Sequence, residues 1–103
     1  MAYYINQGIK AKITAKGGMF VEGKEYTCTL YASTRDTEHR ATTSAIAMQI
    51  GSNVACVFEF TQDQTSNLKV GSCILEVYDT IDREQMAFVN NFATVRANSL
   101  VAE

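Results

Sequence analysis

Apolar and polar residues alternate with a period of two along most of this chain, which is the pattern of strands buried on one face. Ile9, Ala11 and Ile13 share one face of a first predicted strand, and Lys10 and Lys12 share the other. Gly17-Gly18 breaks that run, and Val21-Glu22-Gly23-Lys24 reads as a turn. A second strand over 25–33 puts Tyr26, Cys28, Leu30 and Ala32 inward, with Thr27, Thr29 and Tyr31 outward. The polar stretch 34–43 is expected to be an exposed loop. Over 45–50, Ile46, Met48 and Ile50 fall on one face of a strand. The alanines over 41–50 leave a helix as the alternative, which Thr42, Thr43 and Ser44 weaken.

Gly51-Ser52-Asn53 is a turn signal, and it suggests a hairpin into a strand over 54–61. That strand is apolar on both faces, as a central strand would be. Thr61-Gln62-Asp63-Gln64-Thr65 reads as a capped helical turn, with Thr61 or Asp63 as the cap and Leu68 dropping into the core after it. Beyond Gly71, Cys73, Leu75 and Val77 alternate toward Asp79, and 80–84 forms a hairpin loop. Met86, Phe88 and Phe92 then mark another strand, and 93–101 the last. Turn signals every 8–12 residues predict an all-β antiparallel sandwich of about seven strands, with one short helical turn near 62–67. The chain reads as a single domain over 1–103.

Composition agrees with this pattern. Val, Ile and Thr make up about a quarter of the 103 residues, and branched side chains suit pleated sheets. With 47% hydrophobic and 19% charged residues, the chain is not disordered. A net charge of −2 argues against wrapping nucleic acid. The N-terminus lacks the basic and apolar regions of a secretory signal, and the longest uncharged run, 41–58, is too polar to span a membrane. Cys28, Cys56 and Cys73 are odd in number and form no CxxC pair, so they read as buried thiols. A Cys28–Cys73 bridge is the alternative, and it would require an oxidising compartment.

Leu68-Lys69-Val70-Gly71-Ser72-Cys73 has the spacing of the corner at which an immunoglobulin-like chain crosses between sheets. Leu68 plugs the core and Gly71 permits the tight turn. Cys73 stands where a tyrosine hydroxyl would bond the corner, so packing is expected to hold the corner instead. Further stretches extend the likeness: Phe58-Glu59-Phe60-Thr61-Gln62-Asp63-Gln64-Thr65, Leu75-Glu76-Val77-Tyr78-Asp79, Asn90-Asn91-Phe92-Ala93-Thr94-Val95-Arg96, and the strand from Tyr26 to Tyr31. Together the chain resembles the immunoglobulin-like N-terminal module of phage baseplate upper proteins, over roughly residues 5–100. The resemblance implies a virion structural protein of a tailed bacteriophage, assembled in the host cytoplasm. Because no fibre follows, a stand-alone auxiliary or decorating head protein is expected, with a tail or baseplate adaptor as the alternative.

No catalytic constellation can be assembled from these residues, so no enzyme activity is expected. His39 lies in the charged run Arg35-Asp36-Thr37-Glu38-His39-Arg40, without a nucleophile or second base beside it. One histidine and scattered cysteines lack metal-ligand spacing, and the 79–84 stretch matches no EF-hand loop. Gly17-Gly18 lacks the Lys-Ser/Thr of a phosphate-binding loop. No metal or cofactor is therefore expected. Lys10, Lys12, Lys16 and Lys24 read as a solvated, edge-protecting face.

What remains is attachment. Tyr3, Tyr4 and Ile5 complete a first strand or anchor a neighbouring subunit, and Tyr31 is a further contact candidate. Arg35, His39 and Arg40 in the 34–43 loop, and Asp82 and Arg83 in the 80–84 loop, complete the candidate interface. The expected partners are the major capsid protein or other virion subunits, with a homo-oligomer as a further option and neither nucleic acid nor membrane. A carbohydrate- or host-surface-binding module is the third reading. It would need Tyr3, Tyr4, Tyr31 or Tyr78 as a platform, since there is no Trp.

Overall fold

The computed structural model describes residues 3–33, 35 and 38–97. The described residues form eight strands and one helical turn: β1 Tyr4–Asn6, β2 Ala11–Lys16, β3 Glu25–Tyr31, β4 Arg40–Ile46, β5 Met48–Ile50, β6 Asn53–Phe60, α1 Gln62–Ser66, β7 Gly71–Asp79 and β8 Gln85–Arg96. They make two packed sheets, a five-stranded one in the order β1-β8-β7-β3-β4 and a three-stranded one in the order β2-β6-β5. The chain crosses between the sheets four times and builds a two-sheet β-sandwich, as the strand spacing predicts. The larger sheet is mixed, because β1 runs parallel to the end of β8, pairing Tyr4 with Thr94 and Asn6 with Arg96.

The inward faces supply one core. Tyr26, Phe58, Phe60, Ile5, Leu30, Leu68, Val77 and Val95 are its largest fully buried apolar side chains. Phe20, from the β2–β3 connection, meets Tyr26 edge to face at 4.8 Å between centroids, and the Tyr26 hydroxyl accepts the Val21 N–H at 2.9 Å. All three cysteines are free and buried. Burial pushes the Cys28 thiol up to about 12 and Cys56 to about 11, and it raises Cys73 as well, so all three are poor nucleophiles.

Several elements differ from the sequence pattern. Residues 40–43 belong to β4 rather than to an exposed loop, because they pair with Leu30, Cys28 and their neighbours on β3. The predicted single strand over 45–50 is split at Ala47 between the two sheets. Ala47 is buried, donating its N–H to Lys24 O and accepting from Gly23 N, both at 2.9 Å. Small residues at 41, 43, 45 and 47 therefore face the interior where β4 packs on β6, and Ile46, Met48 and Ile50 face out, 56%, 50% and 38% exposed. Ile9 is also outside the core, because β2 begins only at Ala11.

One strand, β8, replaces the predicted pair over 86–101. Register shifts opposite Cys73/Leu75 and Val77/Tyr78 absorb its extra residues, with Asn91 at φ 52°. Residues 98–101 of the predicted last strand, like Thr34, Asp36 and Thr37 of the predicted loop, lie outside the described residues.

Candidate functional site

The strand directions define two ends. At the lower end lie the β1–β2, β3–β4 and β6–β7 connections; at the upper end lie β2–β3, the β4–β5 junction, the β5–β6 turn and the β7–β8 loop. The candidate contacts Arg35, His39 and Arg40 and the 80–84 loop therefore sit at opposite ends of the sandwich.

Side chains of the corner hold the lower end together. Thr61 caps α1 with a reciprocal box: Gln64 N–H donates to its hydroxyl at 3.2 Å, and its own N–H donates to Gln64 Oε1 at 2.8 Å. Gln64 Nε2 also donates to Thr42 O, and Asn67 Nδ2 to Glu38 O and Arg40 O. These bonds occupy carbonyls along the open edge of β4, which blunts that edge against strand pairing.

Thr65 is fully buried. Its hydroxyl accepts Gly8 N–H at 3.1 Å and lies 3.0 Å from Ile9 O and 3.1 Å from Gln62 O as a donor. Gln7 Nε2 donates to Leu68 O at 2.6 Å. The corner is thus fixed by hydrogen bonds as well as by packing. Thr65 and Gln7 supply those bonds, while Cys73 fills core space. Leu68 is buried as expected, and Gly71 adopts φ 125°, which favours glycine.

At the upper end a single latch joins two loops. Lys24 Nζ lies 2.6 Å from Asp79 Oδ2 and 3.7 Å from Asp82 Oδ2. Asp79 is buried and accepts the N–H groups of Ile81 and Asp82 through Oδ1 at 2.9 and 3.0 Å. The hydrogen bond from Lys24 holds the Asp79 carboxyl below its usual range, and the same bond holds the Lys24 ammonium above its own. The amine stays protonated, so this group is a latch and not a nucleophile.

The upper end also exposes large apolar side chains. Met19 and Val21 on the β2–β3 connection, Ile46, Met48 and Ile50 on the two strand ends, and Ile81 at the tip of the β7–β8 loop are all exposed. Ile81, at 78%, is the most open large apolar side chain among the described residues. Exposed apolar residues gathered in one region mark interaction surfaces. The sequence pattern puts Ile46, Met48 and Ile50 on one face but does not show that this face meets solvent.

Charge also differs between the ends. The upper end carries Glu22, Glu25, Asp79, Asp82 and Glu84 against Lys16, Lys24 and Arg83, and is net negative. The lower end carries Lys10, Lys12, Arg35, Arg40, Lys69 and Arg96 against Glu38, Glu59 and Asp63, and is net positive among the described residues.

The structure scatters the remaining candidates. Ile5 is 2% exposed and belongs to the core through β1, so it cannot anchor a neighbour. Tyr3 packs against Phe92 at 5.3 Å and donates to Lys12 O at 3.1 Å. Tyr4 is exposed, with the Arg96 guanidinium over its ring at 4.3 Å. Tyr31, expected outward and available, is only 3% exposed. It does lie on the outer face of its sheet, but β3 is flanked on both sides. Arg40 covers its ring at 4.3 Å and its hydroxyl donates to Glu76 at 3.4 Å. Burial, with Glu76 adding to it, raises the Tyr31 pKa.

Thr27 and Thr29 are buried on that same face, bonded to Ser44, Thr80 and Thr42. Arg35 and His39 are exposed at the lower end. Asp82 joins the upper latch, and Arg83 sits at φ 63° with its guanidinium 4.8 Å from the Tyr78 ring.

Among the described residues no group of three or more His, Cys, Asp or Glu could hold a metal ion, and no helix is long and apolar enough to cross a membrane. The chain matches no family model, no curated protein and no solved structure in the corresponding comparisons. The fold and the two unlike ends define it as a two-sheet β-sandwich with an acidic end that exposes large apolar side chains.

Proposed function

We propose that this protein is a structural component of a tailed-phage virion, an auxiliary head protein that docks on other virion subunits through its upper end. The phage setting rests on the sequence resemblance to baseplate upper modules. The docking role rests on one observation: six large apolar side chains, Met19, Val21, Ile46, Met48, Ile50 and Ile81, are exposed on the connections and strand ends at the upper end of the sandwich. A tail or baseplate adaptor uses the same surface and differs only in its partner.

Protein docking is favoured over sugar binding by the state of the tyrosines. Arginines cover Tyr4, Tyr31 and Tyr78 where a sugar ring would stack, and Tyr3 packs on Phe92. Electron microscopy of particles with and without the protein tests the reading. Density on the head is the expected result, density on the tail selects the adaptor, and absence from both overturns the proposal. Changing Val21 and Ile81 to Asn is expected to remove the protein from particles while leaving it folded.

A further inference from the structure

We infer that the upper end of one molecule docks on the lower end of a second copy, so that the chain self-associates head to tail. This inference rests on reading the upper end as a docking surface and is independent of the phage setting.

The choice of partner follows from charge. Two upper ends placed together would set Glu22, Glu25, Asp82 and Glu84 against their own copies, and Lys24 is already engaged by Asp79 and Asp82. Like charges facing across an interface are costly. The lower end has the opposite sign and its own exposed apolar side chains, Ile9, Val70 and Tyr4. It therefore offers both kinds of contact that the upper end needs: apolar surface to cover Val21 and Ile81, and cations for the acidic rim.

Two of the open strand edges are protected against pairing with another copy. Gln64 and Asn67 cap carbonyls on the β4 edge, and Tyr3 caps Lys12 O on the β2 edge, where lysines add further protection. A contact between two different surfaces does not use itself up in a dimer. It leaves one free end of each kind, and it extends into a ring or an open row.

Sedimentation of the full chain across a concentration series tests this with two exposed-residue variants. Val21→Asn with Ile81→Asn blocks the upper end; Lys69→Glu with Val70→Glu blocks the lower end. The wild type is expected to grow in mass with concentration, beyond a dimer, and to lose mass as salt screens the charged rims. Each variant alone is expected to stay monomeric. Mixed in equal amounts, the two retain one good end of each kind, and they are expected to form a one-to-one dimer that grows no further.

Self-association that persists in either variant alone would place the contact elsewhere, including the upper edge of β8 at Phe88 and Val89, and would overturn the inference. A mixture that stays monomeric would overturn it too. Wild type that remains monomeric but still binds phage particles overturns head-to-tail pairing and keeps the docking reading. Wild type that does neither overturns both. Unchanged thermal unfolding of both variants shows that any loss of association is not a loss of fold.

Discussion

The two ends of this sandwich use their side chains in opposite ways. At the lower end Thr65, Gln7, Gln64 and Asn67 reach across the chain and bond backbone groups of other segments. Its polar atoms are spent on the molecule itself. At the upper end one lysine latch closes two loops, and Val21, Ile46, Met48 and Ile81 at the same end are left in water. The bonded polar groups of the lower end thus stabilise the monomer, and the exposed apolar groups of the upper end are free to bind. If that division is correct, substitutions of these two sets of residues must separate stability from association.

The largest loss of stability is expected from Leu68→Ala at the lower corner, about 2–5 kcal/mol, since a buried leucine leaves a cavity. Urea unfolding measures it. Thr65→Val should follow, at about 1–3 kcal/mol, because it keeps the volume but leaves the Gly8 N–H and Ile9 carbonyl without their partner. A Thr65→Val protein as stable as wild type would mean that the corner is held by packing alone, and the contrast between the ends would collapse.

A smaller effect belongs to the upper latch, and pH reads it. The Asp79 pKa is depressed in the folded protein, so its contribution is fully present above the ordinary carboxyl value of 3.8 and fades as pH falls through the lower folded value. Lys24 has the opposite sign: its contribution is full below 10.5 and fades as pH rises through the higher folded value. Asp79→Asn should remove the acid-side dependence due to this pair, as followed by thermal unfolding across the pH range. The smallest effect on stability, within about 0.5 kcal/mol, is expected from Ile81→Asn, an exposed substitution. The same change should have the largest effect on docking, and particle binding or sedimentation would show it. A marked drop in stability would assign Ile81 to the fold instead.

The N-terminal strand sharpens the same contrast. Its tyrosines invite an anchoring role, yet Ile5 fills the core and Tyr3 bonds to β2. Removing residues 2–5 should therefore lower the unfolding temperature, where a pure anchor would leave it unchanged.

Local chemistry made much of the lower end legible. The Thr61–Gln64 capping box, the Leu68 plug and the Gly71 turn depend on neighbours within a few residues, and the sequence shows those neighbours directly. The two-residue loop between β5 and β6 is legible for the same reason, with Gly51 at φ 61° between Ile50 and Asn53. Thr65 was visible only as part of the helical turn. Nothing nearby in the chain announces Gly8 and Ile9, which lie more than fifty residues away.

The exposed face of the upper end was not legible in the sequence, for a definite reason. Alternation shows that residues 46, 48 and 50 share a face, but it does not say which face is inside. Large apolar residues are normally assigned inward. Here the small residues at 41, 43, 45 and 47 take the interior because β4 packs on β6 as the chain changes sheets. Tyr31 shows the converse case: it points outward as predicted but is buried by its neighbours on a flanked strand.

By itself, then, the sequence determined the all-β class, the turns, the cap and most of the core, because period, glycine and capping are local. Tertiary structure alone decided which face of 45–50 meets solvent, which distant groups bond at the corner, and that charge and apolar surface divide between opposite ends. Those outcomes depend on which strands become neighbours, and strand neighbourhood is set by contacts between segments far apart in the chain.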